Sequence, residues 1–127
     1  MQQLIDSVES MFLCGKKNMK KLKLKICGMK YSENIQEIAT LKPDYLGFIF
    51  WDKSSRKFEL DELPKLDSNI KKVGVFVDAS LEEIQNKIKT FPLDAIQLHG
   101  NESVEFCANL KNEKVEIIKA FSINNDF

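Results

Sequence analysis

Arginine and histidine are close to absent from this chain of 127 residues. Of 19 basic side chains all but Arg56 are lysine, and His99 is the single histidine. Cysteine is scarce as well. Cys14, Cys27 and Cys107 are an odd number with no CxxC and no Cys/His ligand spacing. A disulfide framework and a zinc site are therefore not expected, and a reducing cytoplasm fits better. No run approaches the ~20 apolar residues of a membrane span, so no membrane partner is expected. Net charge is lacking too: 19 basic residues meet 19 acidic ones. Nothing in that balance suggests a nucleic-acid partner, and it offers little protection against self-association. The length suits one domain and is short for two.

What is present is organised in units. Residues 1–20 stand apart as a weak helical pattern followed by a basic run. Residues 1–30 hold seven lysines against Asp6 and Glu9, so they carry +5 and the remainder −5. The order is the reverse of a secretory signal, and the apolar patch from Met11 is too short for one. An interaction arm is one reading. A disordered leader, or an artefact of an upstream start with true translation at Met19, is the reading we favour.

From Lys21 onward a strand-like run alternates with a helical one. Residues 22–27, 45–51, 73–77, 95–98 and 115–121 are short, apolar and rich in β-branched or aromatic side chains. Between them lie amphipathic stretches at 32–41, opened by Ser32, at 81–91 and at 102–110. Ser80 with Glu83 three residues on forms a capping box before the second. The segment 58–70 is polar, contains Pro64 and has room only for a short helix. Strand ends fall at Cys27, Phe50, Val77, His99 and Phe121, at intervals of 23, 27, 22 and 22 residues. A strand–helix unit repeated at that interval implies a parallel sheet covered by helices. An open doubly wound sheet and a (β/α)8 barrel both fit. The chain lacks GxGxxG after its first strand and lacks a P-loop, which weakens the nucleotide-binding version of the former.

In a barrel the C-terminal strand ends carry the chemistry, and the rare residues gather there. Cys27 ends the first strand, before Gly28. Arg56 lies in the loop after the second, and Asp78 follows the third. Gln97 and His99 share one parity at the end of the fourth, so they face one side. Each has a plain alternative. His99 can be a satisfied strand-end imidazole, and Arg56 a solvated loop charge. Against the latter, a chain that uses lysine elsewhere has its one arginine here, and a planar fork grips a carboxylate or phosphate as lysine cannot.

The segments LKLKICGMKYSENI, DYLGFIFWDKSSRKF, IKKVGVFVDAS, LDAIQLHGNES and VEIIKAF, in that order, resemble the N-terminal portion of the phosphoribosylanthranilate isomerase family. The resemblance runs from about Leu22 to Phe121. It implies a (β/α)8 barrel, here a partial one over residues 21–127 with about five βα units. It implies an Amadori rearrangement in tryptophan biosynthesis, in which N-(5′-phosphoribosyl)anthranilate becomes the carboxyphenylamino-deoxyribulose phosphate. No cofactor and no metal are implied; the partner is a small-molecule substrate. The furanose ring must open and a proton must leave C2′, which takes a general acid and a general base. By resemblance Cys27 is the base, as a thiolate with a lowered pKa. Arg56 holds the anthranilate carboxylate, and Gln97 and His99 line the pocket. Lys25, of the same parity as Cys27, would sit one layer below it and favour the thiolate.

Two departures stand out. The family's Ser-Pro-Arg is Ser54-Ser55-Arg56 here. The family's general acid, an aspartate ending strand six, and its phosphate loops after strands seven and eight have no counterpart in this chain, and Asp126 is not that acid. An incomplete chain is therefore expected, with open edges at its first and fifth strands through which it could self-associate. Its inner face would take Phe48, Phe50, Val75 and Val77, or their alternates by parity. The alternative function is a non-catalytic fragment acting only as a binding or assembly module.

Overall fold

Asp44 and Asp94 each stand just ahead of a strand, behind a proline one or two residues back. Asp44 accepts the backbone N–H of Leu24 and Asp94 that of Lys72, both at 2.8 Å. In each case the aspartate carboxylate seats the start of the preceding strand beside its own. Backbone bonds from Asp44 N–H to Leu24 and from Asp94 N–H to Lys72 complete the two joints. Neighbouring strands are thereby locked in parallel at their N-terminal ends.

The structure, a computed structural model, describes residues 2–5 and 21–123. These form β1 (Gln2–Ile5), β2 (Lys23–Ile26), α1 (Ser32–Ala39), β3 (Tyr45–Ile49), β4 (Lys71–Phe76), α2 (Leu81–Thr90), β5 (Ala95–Leu98), α3 (Val104–Leu110), a 3-10 turn (Lys111–Glu113) and β6 (Glu116–Lys119). One sheet holds the strands in the order β1-β2-β3-β4-β5-β6. From β2 to β6 all pairings are parallel, with Val75 opposite Gln97 and Ile49 opposite Val75. Strand order equals chain order and never reverses. Right-handed crossovers then put every helix on one face of the sheet. A doubly wound sheet would reverse its order and cover both faces, so this is the curled sheet of a partial (β/α) barrel.

The two faces carry different cores. Toward the helices lie Leu46, Phe48, Phe76, Ile96 and Leu98, packed with Ile35 of α1, Ile84 of α2 and Leu110 of α3. On the inner face lie Cys27, Tyr45, Ile49, Val73, Val75 and Ala95. Of the residues expected inside, Phe48 and Phe50 belong to the helix side, and Ile49 takes the inner place by parity. The reason is volume. Phe50 stacks on Phe76 at 5.3 Å and Phe91 at 5.4 Å, and Phe58 meets Phe48 edge-on at 5.2 Å. Such aromatic pairs add to what burial alone contributes.

The connection from β3 to β4 has no helix. A single parallel bridge, Ile49 to Lys57, leads instead to Phe58, whose buried ring fills the space a helix would cover. The α1 helix starts at Ser32, as expected, but its cap position is Tyr31 and no side chain caps it. The capping box of Ser80 and Glu83 is formed in full at α2, and Ser103 caps α3. At the start of the sheet β1 pairs antiparallel with β2, Gln2 opposite Ile26 and Ile5 opposite Lys23. The edge expected to be open at the first parallel strand is thus occupied. The rest of the expected leader, including Cys14, lies outside the described residues, as does Asp126. No helix among the described residues is long and apolar enough to cross a membrane.

Candidate functional site

Gly47 makes room for two polar side chains in the inner layer. A Cβ there would stand 2.9 Å from the Cys27 Sγ and 3.2 Å from the Lys25 Nζ. Both neighbours lie on the same side of β2, two residues apart, as strand alternation requires. Lys25 is 1% exposed and Cys27 7%. The thiol and the ammonium are therefore close companions over a glycine, inside the sheet.

Gly28 turns the chain away just after the thiol. Its φ of 81° lies in the left-handed region, and its N–H and that of Met29 both donate to the Gly47 carbonyl at 3.0 Å. A Cβ at Gly28 would stand 2.8 Å from Nη1 of Arg56. The guanidinium thus lies close against the backbone that follows Cys27. Its loop is a tight turn in which Arg56 N–H donates to Ser54 Oγ at 3.2 Å and Lys57 N–H to the Ser54 carbonyl at 3.1 Å. The serine at 55, where the family has proline, leaves that turn intact.

Cys27, Arg56, Gln97 and His99 meet around one cavity of about 180 Å³, walled by Ile49, Trp51, Ser54, Val75 and Val77. A volume of that order accepts one benzene-sized ring, for which about 150 Å³ suffices. The walls are apolar, and the polar groups are few and convergent, the usual make-up of a small-molecule site. Gln97 is 3% exposed, whereas His99 is exposed at the mouth. The Gln97 Oε1 is buried without a hydrogen-bond partner among the described residues. A larger groove of about 730 Å³ lies beside α1, against residues 60–65. It is an open surface trough on the helix side, away from the strand ends, and we assign it no chemistry.

Asp78 does not line the cavity. It adopts a φ of 49°, and its carboxylate accepts the N–H of Asn101 at 2.7 Å. Its own N–H donates to Glu102, which also accepts from Gly100 N–H at 3.0 Å and Lys119 Nζ at 3.1 Å. Lys119 donates further to the Gly100 carbonyl at 2.6 Å. This clamp ties the loops after β4 and β5 to the end of β6. Burial alone would raise the Glu102 carboxyl. The N–H groups of Asp78 and of Glu102 itself, with the Lys119 ammonium, outweigh it and hold the carboxyl below its ordinary range. Sequence reasoning missed this clamp, since Glu102 read only as the start of the helical stretch 102–110 and Lys119 as part of the fifth strand-like run. It missed Gly47 too, although a glycine inside an apolar strand signals a close approach. No cluster of three or more ligating side chains that could hold a metal occurs among the described residues.

The family model for N-(5′-phosphoribosyl)anthranilate (PRA) isomerase matches residues 24–127. An N-(5′-phosphoribosyl)anthranilate isomerase of Parabacteroides distasonis is 45% identical over 105 residues, covering 79% of this chain and 48% of the relative. Among solved structures, phosphoribosyl anthranilate isomerase of Thermus thermophilus aligns with a TM-score of 0.69 at 29% identity. It covers 79% of this chain and 52% of that one. A phosphoribosyl anthranilate isomerase in complex with reduced 1-(o-carboxyphenylamino)-1-deoxyribulose 5-phosphate aligns at 0.68 with 32% identity, covering 80% of this chain and 54% of that one. The chain spans about half the length of the curated relatives it matches.

Proposed function

The chain belongs to the N-(5′-phosphoribosyl)anthranilate isomerase family, and on that premise we propose that its cavity holds the carboxyphenylamino end of phosphoribosylanthranilate for the Amadori rearrangement. The observation that carries this reading is the convergence of a buried thiol and a guanidinium on a ring-sized apolar cavity at the strand ends.

In this reading Arg56 takes the carboxylate through its planar fork, and the apolar walls take the ring. Ring opening breaks the bond from C1′ to the ring oxygen. The electron pair goes to that oxygen, which gains a proton, while the nitrogen lone pair forms C1′=N. Cys27, as thiolate, then removes the C2′ proton. The freed pair makes the C1′=C2′ bond as the C1′=N pair returns to nitrogen, giving an enolamine that tautomerises to the ketone. Lys25 beside the thiol has the sign of charge that favours a thiolate. Gln97 lines the floor and His99 the mouth. No described residue takes the part of the acid that protonates the ring oxygen; the family resemblance assigns it to an aspartate ending a sixth barrel strand. A small molecule is the partner, without cofactor. The scarcity of cysteine and the free Cys107 suit a reducing cytoplasm.

The test is protection of the thiol. The reduced product analogue carried by the family relative should shield Cys27 from iodoacetamide in the 127-residue chain and leave Cys107 reactive. Arg56→Met should remove the shielding. Undiminished alkylation of Cys27 at millimolar analogue would refute the reading.

A second reading, assembly through the sheet edge, is favoured by β6. Its outer edge has no strand partner among the described residues, and Phe121 and Ile123 beyond it are 79% and 72% exposed. Open edges recruit other strands. Sedimentation of the chain against concentration decides it: a species that stays monomeric excludes this reading.

A further inference from the structure

The parallel part of the sheet has two outer edges and treats them differently. The outer edge of β6 has no strand partner among the described residues, whereas that of β2 is covered by β1. The backbone of β2 shows what β1 covers. The Leu24 N–H donates to the Asp44 carboxylate at 2.8 Å, and the Leu24 carbonyl accepts the Asp44 N–H at 3.0 Å. Leu24 thus turns both groups toward β3. Alternation turns the N–H and C=O groups of Lys23 and Lys25 the other way, toward Ile5 and Gln3 of β1. Those are the hydrogen-bonded pairs of the ladder. Leu4 with Leu24 is a close pair without such bonds.

β1 is not a barrel strand. In a closed (β/α)8 barrel every strand runs parallel to both neighbours. β1 runs antiparallel to β2 and is four residues long. A strand that closed the barrel would need the outward backbone groups of Lys23 and Lys25, which are the groups that β1 faces. The two occupants exclude each other. We infer that β1 is a guard strand: it covers the closing edge of the partial barrel and is displaced by a parallel strand from a complementary (β/α) segment. The source of that strand is the remainder of the barrel, since this chain covers only 48% of the Parabacteroides distasonis relative. The bare β6 edge docks the segment first, as open edges recruit strands. The β2 edge is taken last, when β1 lets go. The guard also keeps copies of the chain from adding head to tail, β6 of one on β2 of the next, an arrangement that grows without closing. This inference concerns the sheet edge and does not depend on what the cavity binds.

The experiment locks the guard in place. Leu4→Cys with Leu24→Cys puts two thiols on a pair whose Cα atoms stand about 4.5 Å apart in such a ladder, within disulfide reach. The oxidised 127-residue chain should bind the C-terminal half of a full-length relative about tenfold more weakly than the same chain after dithiothreitol. Gln3→Pro removes a guard N–H and should bind that half about threefold tighter than the wild type. Sedimentation reads the binding, so neither turnover nor Cys27 enters. Hydrogen exchange on the chain alone checks the pairing. The amides of Lys23 and Lys25 should be protected in the wild type and exposed in Gln3→Pro, while the Leu24 amide, held by Asp44, stays protected. Equal binding by the locked and reduced forms overturns the inference. So does a lock that alters only self-association of the chain, which would make a second copy the occupant. If the double-cysteine chain does not fold, exchange decides: the same protection of Lys23 and Lys25 in wild type and Gln3→Pro overturns the guard.

Discussion

The two ends of the parallel strands are built on opposite rules. At the N-terminal end the polar groups are closed off. Asp44 and Asp94 meet backbone N–H groups at 2.8 Å, and Asp94 also pairs with Lys72 at 2.9 Å. At the C-terminal end the chain keeps capacity in hand. Gln97 is unsatisfied, Gly28 holds a φ of 81°, and a lysine is buried beside a thiol. The N-terminal end spends its hydrogen bonds on seating the strands; at the C-terminal end the Asp78–Glu102–Lys119 clamp spends them between strand ends, and Gln97 Oε1 is the one buried side-chain polar atom left unpaired among the described residues. In strand–helix folds, the former arrangement belongs with stability and the latter with chemistry.

The sharpest way to test that contrast is to remove the thiol. When the chain is complemented in trans with the C-terminal half of a full-length relative, Cys27→Ala should lower turnover of phosphoribosylanthranilate about 10²–10⁴-fold. Its thermal midpoint should barely move, because the deleted group is small. A fluorescence assay of substrate consumption beside a melting curve reads both. Retained turnover would place the base elsewhere.

Gly28→Ala should harm both ends of the contrast, by a smaller factor. The new Cβ meets the Arg56 guanidinium at 2.8 Å and must hold a φ of 81°. The left-handed conformation costs a non-glycine residue about 1–2 kcal/mol. Affinity for the product analogue should also fall, since Arg56 must move. A variant that loses stability yet keeps full affinity would show that the guanidinium is not placed by Gly28.

At the opposite end, Asp44→Ala should cost about 1–2 kcal/mol of stability by orphaning the Leu24 N–H. The alkylation rate of Cys27 should stay unchanged. A drop in thiol reactivity equal to that of a site variant would erase the distinction between the two ends.

The smallest effect concerns acid. The Glu102 carboxyl is held below its ordinary value in the folded chain. The folded form therefore binds its proton less readily than the unfolded form. Its contribution to stability is complete above the usual carboxylate range and is lost as pH falls through the depressed folded value. Glu102→Gln should flatten the decline of stability below about pH 4.5, with little change near neutrality beyond a constant offset. Chemical denaturation at several pH values measures this, and parallel curves for the two proteins would remove Glu102 from the account.

Much was legible before any coordinates because it depends on local rules. Short apolar runs at even intervals marked the five parallel strands, and period-two alternation set Lys25 with Cys27 and Gln97 with His99. Arg56 stood out by composition alone. The capping box of Ser80 and Glu83 needed only three residues of spacing. What escaped was decided by residues distant in the chain. The aromatic plug at Phe58 depends on Phe48, Phe50 and Phe91 arriving from three elements. The Asp78–Glu102–Lys119 clamp depends on two loops meeting the end of β6, and β1 on β2 depends on a register no local pattern sets.

The sequence by itself determined the alternation of elements, the parity of the strand-end side chains and the family pattern. All of these are carried by spacing, and spacing survives in one dimension. Only the tertiary structure decided which face of the sheet took the aromatics, that Gly47 lets a thiol and an ammonium lie together, and that one glutamine is left with its oxygen unpaired. Those outcomes are set by volume and hydrogen-bond satisfaction between strands, which exist only once the sheet has brought them within reach.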